Sequence, residues 1–244
     1  MQRTDGRRPD ELRSVRIEAN PLDFAEGSAL IEVGRTRVLC AATIEDRVPP
    51  WLRGKGVGWI TAEYAMLPRA TSERTQREAT KGRQGGRTHE IQRIIGRSLR
   101  AVVDTAKLGE RTITVDCDVL QADGGTRTAS LTGACVALSI ALAKMFPVQS
   151  KAAWPMLGLI GAISVGIVHG GPVLDLNYEE DSSAHVDMNV FMTDSGRYVE
   201  LQGTAEANPF DREDLNRMLD LASKGIEELF ILQRAAIDAG ANGR

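Results

Sequence analysis

Apolar residues recur at two different periods along the chain, and the switching between them outlines its elements. In TITVDCDVLQ (112–121), Ile113, Val115, Cys117 and Val119 fall on one side, the period of a half-buried strand. From Thr88 the period changes: Ile91, Ile94, Ile95, Leu99, Val102 and Val103 return at helical spacing, with Arg93, Arg97 and Arg100 on the opposite face. Leu131, Ala134, Cys135, Leu138, Ala141, Leu142 and Met145 predict a buried helix that begins near Thr128 and ends before Pro147. A last amphipathic helix follows Asp211, with Leu215, Met218, Leu219, Ala222, Ile226, Leu229 and Phe230 inward. Two β-rich runs around Gly34 (28–44) read as a hairpin, and further strands are predicted at 58–67, 158–168, 172–178, 186–193 and 197–206. Residues 69–86 carry no apolar period and read as a loop. Strand, helix, strand, helix occurs twice, with one long helix in each half. The pattern predicts a single α+β domain over 1–244 with internal duplication, although the halves share too little sequence to establish a repeat.

Composition adds limits. At 244 residues and 42% hydrophobic content the chain suffices for an ordinary globular core. Cys40, Cys117 and Cys135 have no C-x-x-C spacing, so neither a disulfide framework nor a zinc site is expected, and a reducing cytoplasm is. The start, MQRTDGRRPD, lacks the apolar core of a signal peptide, and the apolar run LTGACVALSIALAKM is short for a membrane span. The expectation is a protein neither exported nor inserted.

Charge is distributed unevenly within a net value of -3. Residues 1–100 carry 19 Lys and Arg against 13 Asp and Glu, and nine of those bases lie in 69–100 beside only three acids. No Lys or Arg occurs between Lys151 and Arg197, where Asp175, Glu179, Glu180, Asp181 and Asp187 lie. One region suits an anion and the other could hold a cation.

The hexapeptide DGGTRT (123–128) falls between a strand and a helix. Gly124 and Gly125 permit a tight turn and close backbone approach, and the helix start aims unpaired N–H groups and its positive dipole end at the turn. Thr126 adds a hydroxyl donor and Arg127 a charged fork that matches two phosphate oxygens. The stretch matches neither G-x-x-x-x-G-K-[ST] nor G-x-G-x-x-G, and a Gly-Gly turn can serve geometry alone. GKGVG (54–58) precedes a strand instead of a helix and is set aside.

In DLNYEEDSSAHVDMN (175–189), Val186, Met188, Val190 and Met192 share one face of a strand and leave Asp187 and Asn189 on the other. Asp181 reads as part of a short polar turn. Fully extended chain would separate Asp181 and Asp187 by about 20 Å, so they serve one site only if the chain bends between them. Given the bend, the pair could hold Mg²⁺, or one carboxyl could act as general acid; the bland reading is an acidic loop at a sheet edge. No Ser/His/Asp arrangement or metal-ligand histidine spacing is visible.

Five ordered stretches, RTDGRRPDELR, GWITAEYAMLPRAT, GRTHEIQRIIGRSLRAVVD, VDCDVLQADGGTRTASLTGACVAL and DLNYEEDSSAHVDMN, resemble the bacterial ribonuclease PH family along essentially the whole chain. The resemblance implies duplicated βαβ units with mixed sheets and helices packed between and against them, a ribosomal protein S5 domain 2-like fold. It implies a phosphorolytic 3'→5' exoribonuclease that uses inorganic phosphate as co-substrate and releases nucleoside diphosphates. Its expected substrates are tRNA precursors with nucleotides beyond the 3' CCA end, and other RNA 3' ends including rRNA. Reverse nucleotide addition and a homohexameric ring, a trimer of dimers, are expected with it. The phosphate site maps onto Arg87, Gly125, Thr126 and Arg127, the catalytic carboxylates onto Asp181 and Asp187 with Mg²⁺ as a further expectation, and tRNA contacts onto Arg69, Arg74 and Arg77. Two alternatives stay open: a hydrolytic Mg²⁺ nuclease and a noncatalytic RNA-binding ring subunit of the same fold.

Overall fold

The computed structural model describes residues 3–146, 153–206 and 208–242. Two sheets, each with one long helix against it, carry the chain. In the first, β1 (Val15–Ala19), β2 (Gly27–Val33), β3 (Thr36–Glu45), β4 (Trp59–Met66) and β5 (Thr112–Gln121) lie in the order β1-β2-β3-β5-β4. β2 and β3 form the expected hairpin, with Val33 paired to Thr36 across Gly34, whose φ of 56° suits glycine. α1 (Glu78–Lys81) and α2 (Gly86–Arg100) follow β4, and α2 is the crossover to β5, which pairs parallel to β4. α3 (Thr126–Met145) comes next; Pro147, expected to bound it, lies outside the described residues.

The second half supplies β6 (Ile160–Val168), β7 (Gly171–Leu174), α4 (Tyr178–Ser183), β8 (Val186–Thr193), β9 (Tyr198–Ala205) and α5 (Arg212–Asn242). Its sheet runs β7-β6-β8-β9 with antiparallel pairings. α3 packs on β2, β3 and β5 of the first sheet, on β6 of the second and on α5. One core accordingly runs from Ile31, Cys40 and Val115 through Leu131, Cys135 and Leu138 to Ile160 and Phe191. Val186, Met188, Val190 and Met192 face α5 through Met218, Ile226 and Leu229, as their alternation predicts.

Several local readings differ, among them Val102 and Val103, which lie past the end of α2 at Arg100. α3 starts at Thr126, two residues before the expected start, and at 20 residues it is long and apolar enough to cross a membrane by length and composition, unlike the shorter run read from the sequence. It is nevertheless a core helix, since 83% of its apolar window is buried in the protein. β1 was not expected; five residues, VRIEA, give too short an alternation to stand out. The strand expected over 172–178 stops at Leu174, because Asp175 takes a left-handed φ of 55°. The loop at 69–86 includes one helical turn, α1, whose Glu78 carboxylate accepts from Gly85 N at 3.1 Å and Thr88 Oγ1 at 2.8 Å and so ties the loop to the start of α2.

Candidate active site

The turn at 123–125 is held from below. Thr36 Oγ1 donates to Gly124 O at 2.7 Å and accepts from Asp123 N at 2.8 Å. Arg13 donates to the carbonyls of Asp123 and Gly124 and grips Asp175 through Nε at 2.9 Å and Nη2 at 2.7 Å. Gly124 and Gly125 have φ of 76° and 66°. At Gly124 a Cβ would sit 2.6 Å from Leu176 O and 2.8 Å from Tyr178 N, so only glycine lets the turn touch the start of α4. That contact joins the two motifs singled out in the sequence.

α4 provides the bend that Asp181 and Asp187 require. Where a polar turn was expected there is a capped helix: Asn177 Oδ1 accepts from Glu180 N at 2.9 Å, and Glu180 Oε2 accepts from Asn177 N at 3.1 Å. Arg3 holds the buried Glu180 by two bonds of 2.7 Å, and adds Leu174 O at 2.8 Å and Asp175 O at 2.9 Å. Asp181 therefore stands on an anchored helix, beside the strand that carries Asp187.

Around the N-terminus of α3 the predicted residues meet. Thr126 is buried, and its Oγ1 accepts from the Tyr64 hydroxyl at 3.0 Å. Arg127 Nη1 donates to Gln202 Oε1 at 2.9 Å, and Gln202 Nε2 donates to Glu90 Oε1 at 2.9 Å. Gln202 faces Asn189, and Thr204 faces Asp187, across the β8–β9 pair, which puts Arg127 over the sheet face that carries Asp187. Burial lowers the pKa of Arg127 and the charge of Arg87 lowers it further, against Glu90 and Asp187, which raise it. Asp181 keeps an exposed edge, yet the walls around it desolvate its carboxyl and raise its pKa; Asp187 raises it further, while Arg127, Arg87 and Arg13 pull it down. Asp181 is thus within electrostatic reach of Asp187, Arg87 and Arg127, and Arg127 of Arg87 and Asp187.

Arg87 also lines a cleft of about 680 Å³ with Tyr64, Arg77, Lys81 and Arg83, between β4 and the loop. Arg69, Arg74 and Arg77 are exposed and make no ion pair among the described residues; Arg69 and Arg74 lie outside the cleft lining. The basic face of α2 is partly spent on the protein itself: Arg97 pairs with Glu200 at 2.6 Å, and Arg100 donates to Ile60 O at 2.6 Å and lies 4.2 Å over the Trp59 ring. Among the described residues no group of three or more His, Cys, Asp or Glu could hold a metal ion. Mg²⁺ in general binds through only one or two carboxylates, completed by water and phosphate oxygens, so Asp181 and Asp187 are the residues that would hold it.

Sequence reasoning missed Tyr64, Gln202, Glu90 and Arg13, and read Asp175 only as part of an acidic region. Tyr64 left a trace: in GWITAEYAML it alternates with Ile60 and Ala62 onto the buried face, and a buried phenol requires a partner.

Residues 11–143 match the 3' exoribonuclease family, domain 1, and residues 158–225 its domain 2. The chain is 62% identical over 234 residues to ribonuclease PH of Bacillus pumilus (strain SAFR-032), covering 96% of this chain and 97% of the relative. It is 60% identical over 236 residues to ribonuclease PH of Bacillus subtilis (strain 168), covering 96% of each. Among solved structures it is similar to rice Rrp46, with a TM-score of 0.77 at 20% identity over 96% of this chain and 100% of that one. An Archaeoglobus fulgidus exosome structure with RNA bound to its active site gives a TM-score of 0.78 at 24% identity, over 94% of this chain and 91% of that one.

Proposed function

The chain belongs to the 3' exoribonuclease family, and on that premise we propose that it is a phosphorolytic 3'→5' exoribonuclease acting as one catalytic unit over residues 1–244. The reading rests on Arg87 and Arg127, two like charges near the N-terminus of α3: burial depresses the Arg127 pKa and the Arg87 charge depresses it further, with Glu90, 3.9 Å from Arg127, offsetting only part of this. Such an arrangement costs stability by itself and is relieved by an anion. Inorganic phosphate held there by Arg87, Arg127, Thr126 and the amides of the Gly125 turn is charged near neutral pH and needs no base to attack. Its oxygen forms a bond to the phosphorus of the terminal phosphodiester, and the bond from that phosphorus to the 3' oxygen of the preceding nucleotide breaks. The terminal nucleotide leaves as a nucleoside diphosphate, and the freed 3' oxygen takes up a proton.

Asp187 supplies that proton or charge compensation, with Asp181 as its partner. Bound Mg²⁺, held by the same two carboxylates, would neutralise charge on the departing oxygen. The cleft lined by Arg77 and Arg87 admits the RNA 3' end, and Arg69, Arg74 and Arg77 contact phosphates of a tRNA precursor. Assembly as a hexameric ring and a cytoplasmic location complete the reading, as the family resemblance implies.

The test is incubation of a tRNA carrying extra 3' nucleotides with and without phosphate. Phosphate-dependent shortening with nucleoside diphosphates as products is expected. Monophosphates released without phosphate would instead mark a hydrolytic nuclease, and unchanged RNA a noncatalytic subunit.

A further inference from the structure

Tyr64 projects from β4 into the wall between the cleft and the start of α3, and only 3% of it is exposed. Its hydroxyl donates to Thr126 Oγ1 at 3.0 Å. A threonine hydroxyl owns one proton and two lone pairs. With Tyr64 occupying a lone pair, the proton of Thr126 must point elsewhere, and no acceptor among the described residues takes it. Thr126 is the first residue of α3, where backbone N–H groups also point outward.

We propose that Tyr64 is a positioning residue that fixes the polarity of the Thr126 hydroxyl, so that Thr126 serves as a hydrogen-bond donor to the attacking phosphate. This rests on the assignment of Thr126 to the phosphate site. Without the phenol, the Thr126 hydroxyl is free to rotate and must give up that freedom when phosphate binds. Burial raises the Tyr64 pKa, which keeps the phenolic proton in place for donation, against the Thr126 hydrogen bond and the charges of Arg87 and Arg127, which lower it. A donor of fixed direction favours an acceptor placed against the start of α3, so the device acts on the phosphate bound there.

The experiment is steady-state phosphorolysis of a short oligoribonucleotide by the full chain with phosphate varied, for Tyr64→Phe, Thr126→Val and the double variant. Tyr64→Phe should raise the phosphate KM roughly three- to tenfold, the range for one neutral hydrogen bond, and change the RNA KM less. In the Thr126→Val background, Tyr64→Phe should add nothing, because no hydroxyl remains to be oriented. Thr126→Ser, which keeps the hydroxyl, should retain sensitivity to Tyr64→Phe. Equal penalties from Tyr64→Phe with and without the Thr126 hydroxyl would overturn the proposal and make the phenol a packing element. If Thr126→Val raises the phosphate KM and Tyr64→Phe does not, the proposal alone fails; if Thr126→Val has no effect either, the phosphate-site assignment falls with it. Thermal melting of each variant identifies any that lose the fold, and Thr126→Ala then replaces Thr126→Val.

Discussion

Arg13 holds the Asp175 carboxylate by bonds of 2.7 and 2.9 Å, while the same guanidinium reaches the carbonyls of Asp123 and Gly124. Asp175 is 1% exposed and sits at a left-handed φ, a conformation that costs a non-glycine residue energy and persists here because Arg13 and Arg7 both bind it. Removing the Arg13 guanidinium leaves the buried carboxylate, for charge compensation, only the longer Arg7 contact, at 3.5 Å. Arg13→Ala should therefore lower unfolding stability in urea by about 3 to 5 kcal/mol. Arg8→Ala, which breaks only exposed pairs, should change the same curve little.

Arg127→Ala should raise the phosphate concentration needed for half-maximal rate at least about tenfold, since a charge-assisted hydrogen bond contributes roughly 1.5 to 3 kcal/mol. Arg87→Ala should act in the same direction, because its charge lies near enough to Arg127 to lower that group's pKa and the proposed phosphate would meet both. An unchanged phosphate dependence in both variants would remove the anion site from the start of α3. Gln202→Ala separates positioning from charge: Arg127 keeps its cation and loses the bond that aims it, so a smaller rise in phosphate KM is expected.

Legibility followed locality. β5 and the inward stripe of α5 could be read because a single period of 2 or 3.6 spans each, and the glycines of DGGTRT announced the turn that φ values of 76° and 66° require. α4 was hidden because six residues, YEEDSS, hold no apolar period and form a helix only through the Asn177 capping box and the Arg3 grip on Glu180. Arg13 and Asp175 are 162 residues apart, and Arg127 and Gln202 are 75 apart. No local pattern encodes such pairs; both arise from α3 being packed between the two sheets. Arg93, Arg97 and Arg100 were legible as one helix face, but the use of two of them within the protein was not.

Asp187→Asn keeps shape and removes charge, so turnover at saturating substrates should fall severely with phosphate and RNA binding largely retained. It should also lower the Asp181 pKa, since the neighbouring charge is one of the two causes that raise it; desolvation, the larger, remains. Carboxyl carbon chemical shifts followed across pH would record that movement. Collapse of RNA binding with turnover preserved would make Asp187 structural.

Glu63 lies opposite Asp116 on the parallel β4–β5 pair, with Asp118 nearby. Desolvation, Glu63 and Asp118 together raise the Asp116 pKa. A carboxyl whose folded pKa is raised contributes most stability below its unfolded pKa, and that contribution is lost as pH rises through the folded value. Glu63→Gln should consequently stabilise the chain near neutral pH by a few tenths of a kcal/mol, discounted for partial exposure, and give no gain in acid where the carboxyls are protonated. Equal gains at both pH values would point to packing instead of charge.

Arg69, Arg74 and Arg77 are exposed on the segment before α2, and Arg77 lines the cleft that also holds Arg87. None spends its charge on an ion pair among the described residues, in contrast to Arg97. Neutralising all three should weaken binding of a tRNA precursor and flatten its dependence on salt, because each phosphate contact contributes about one unit or less to the slope of log affinity against log salt. A short oligoribonucleotide in the cleft and the proposed anion site would not reach Arg69 and Arg74, so its phosphorolysis should change much less than that of the tRNA precursor when those two alone are neutralised. Equal damage to both substrates would place these arginines in the catalytic site or in subunit assembly. A sizing column separates those two outcomes: an unchanged elution volume indicates the catalytic site, and a later one indicates lost assembly.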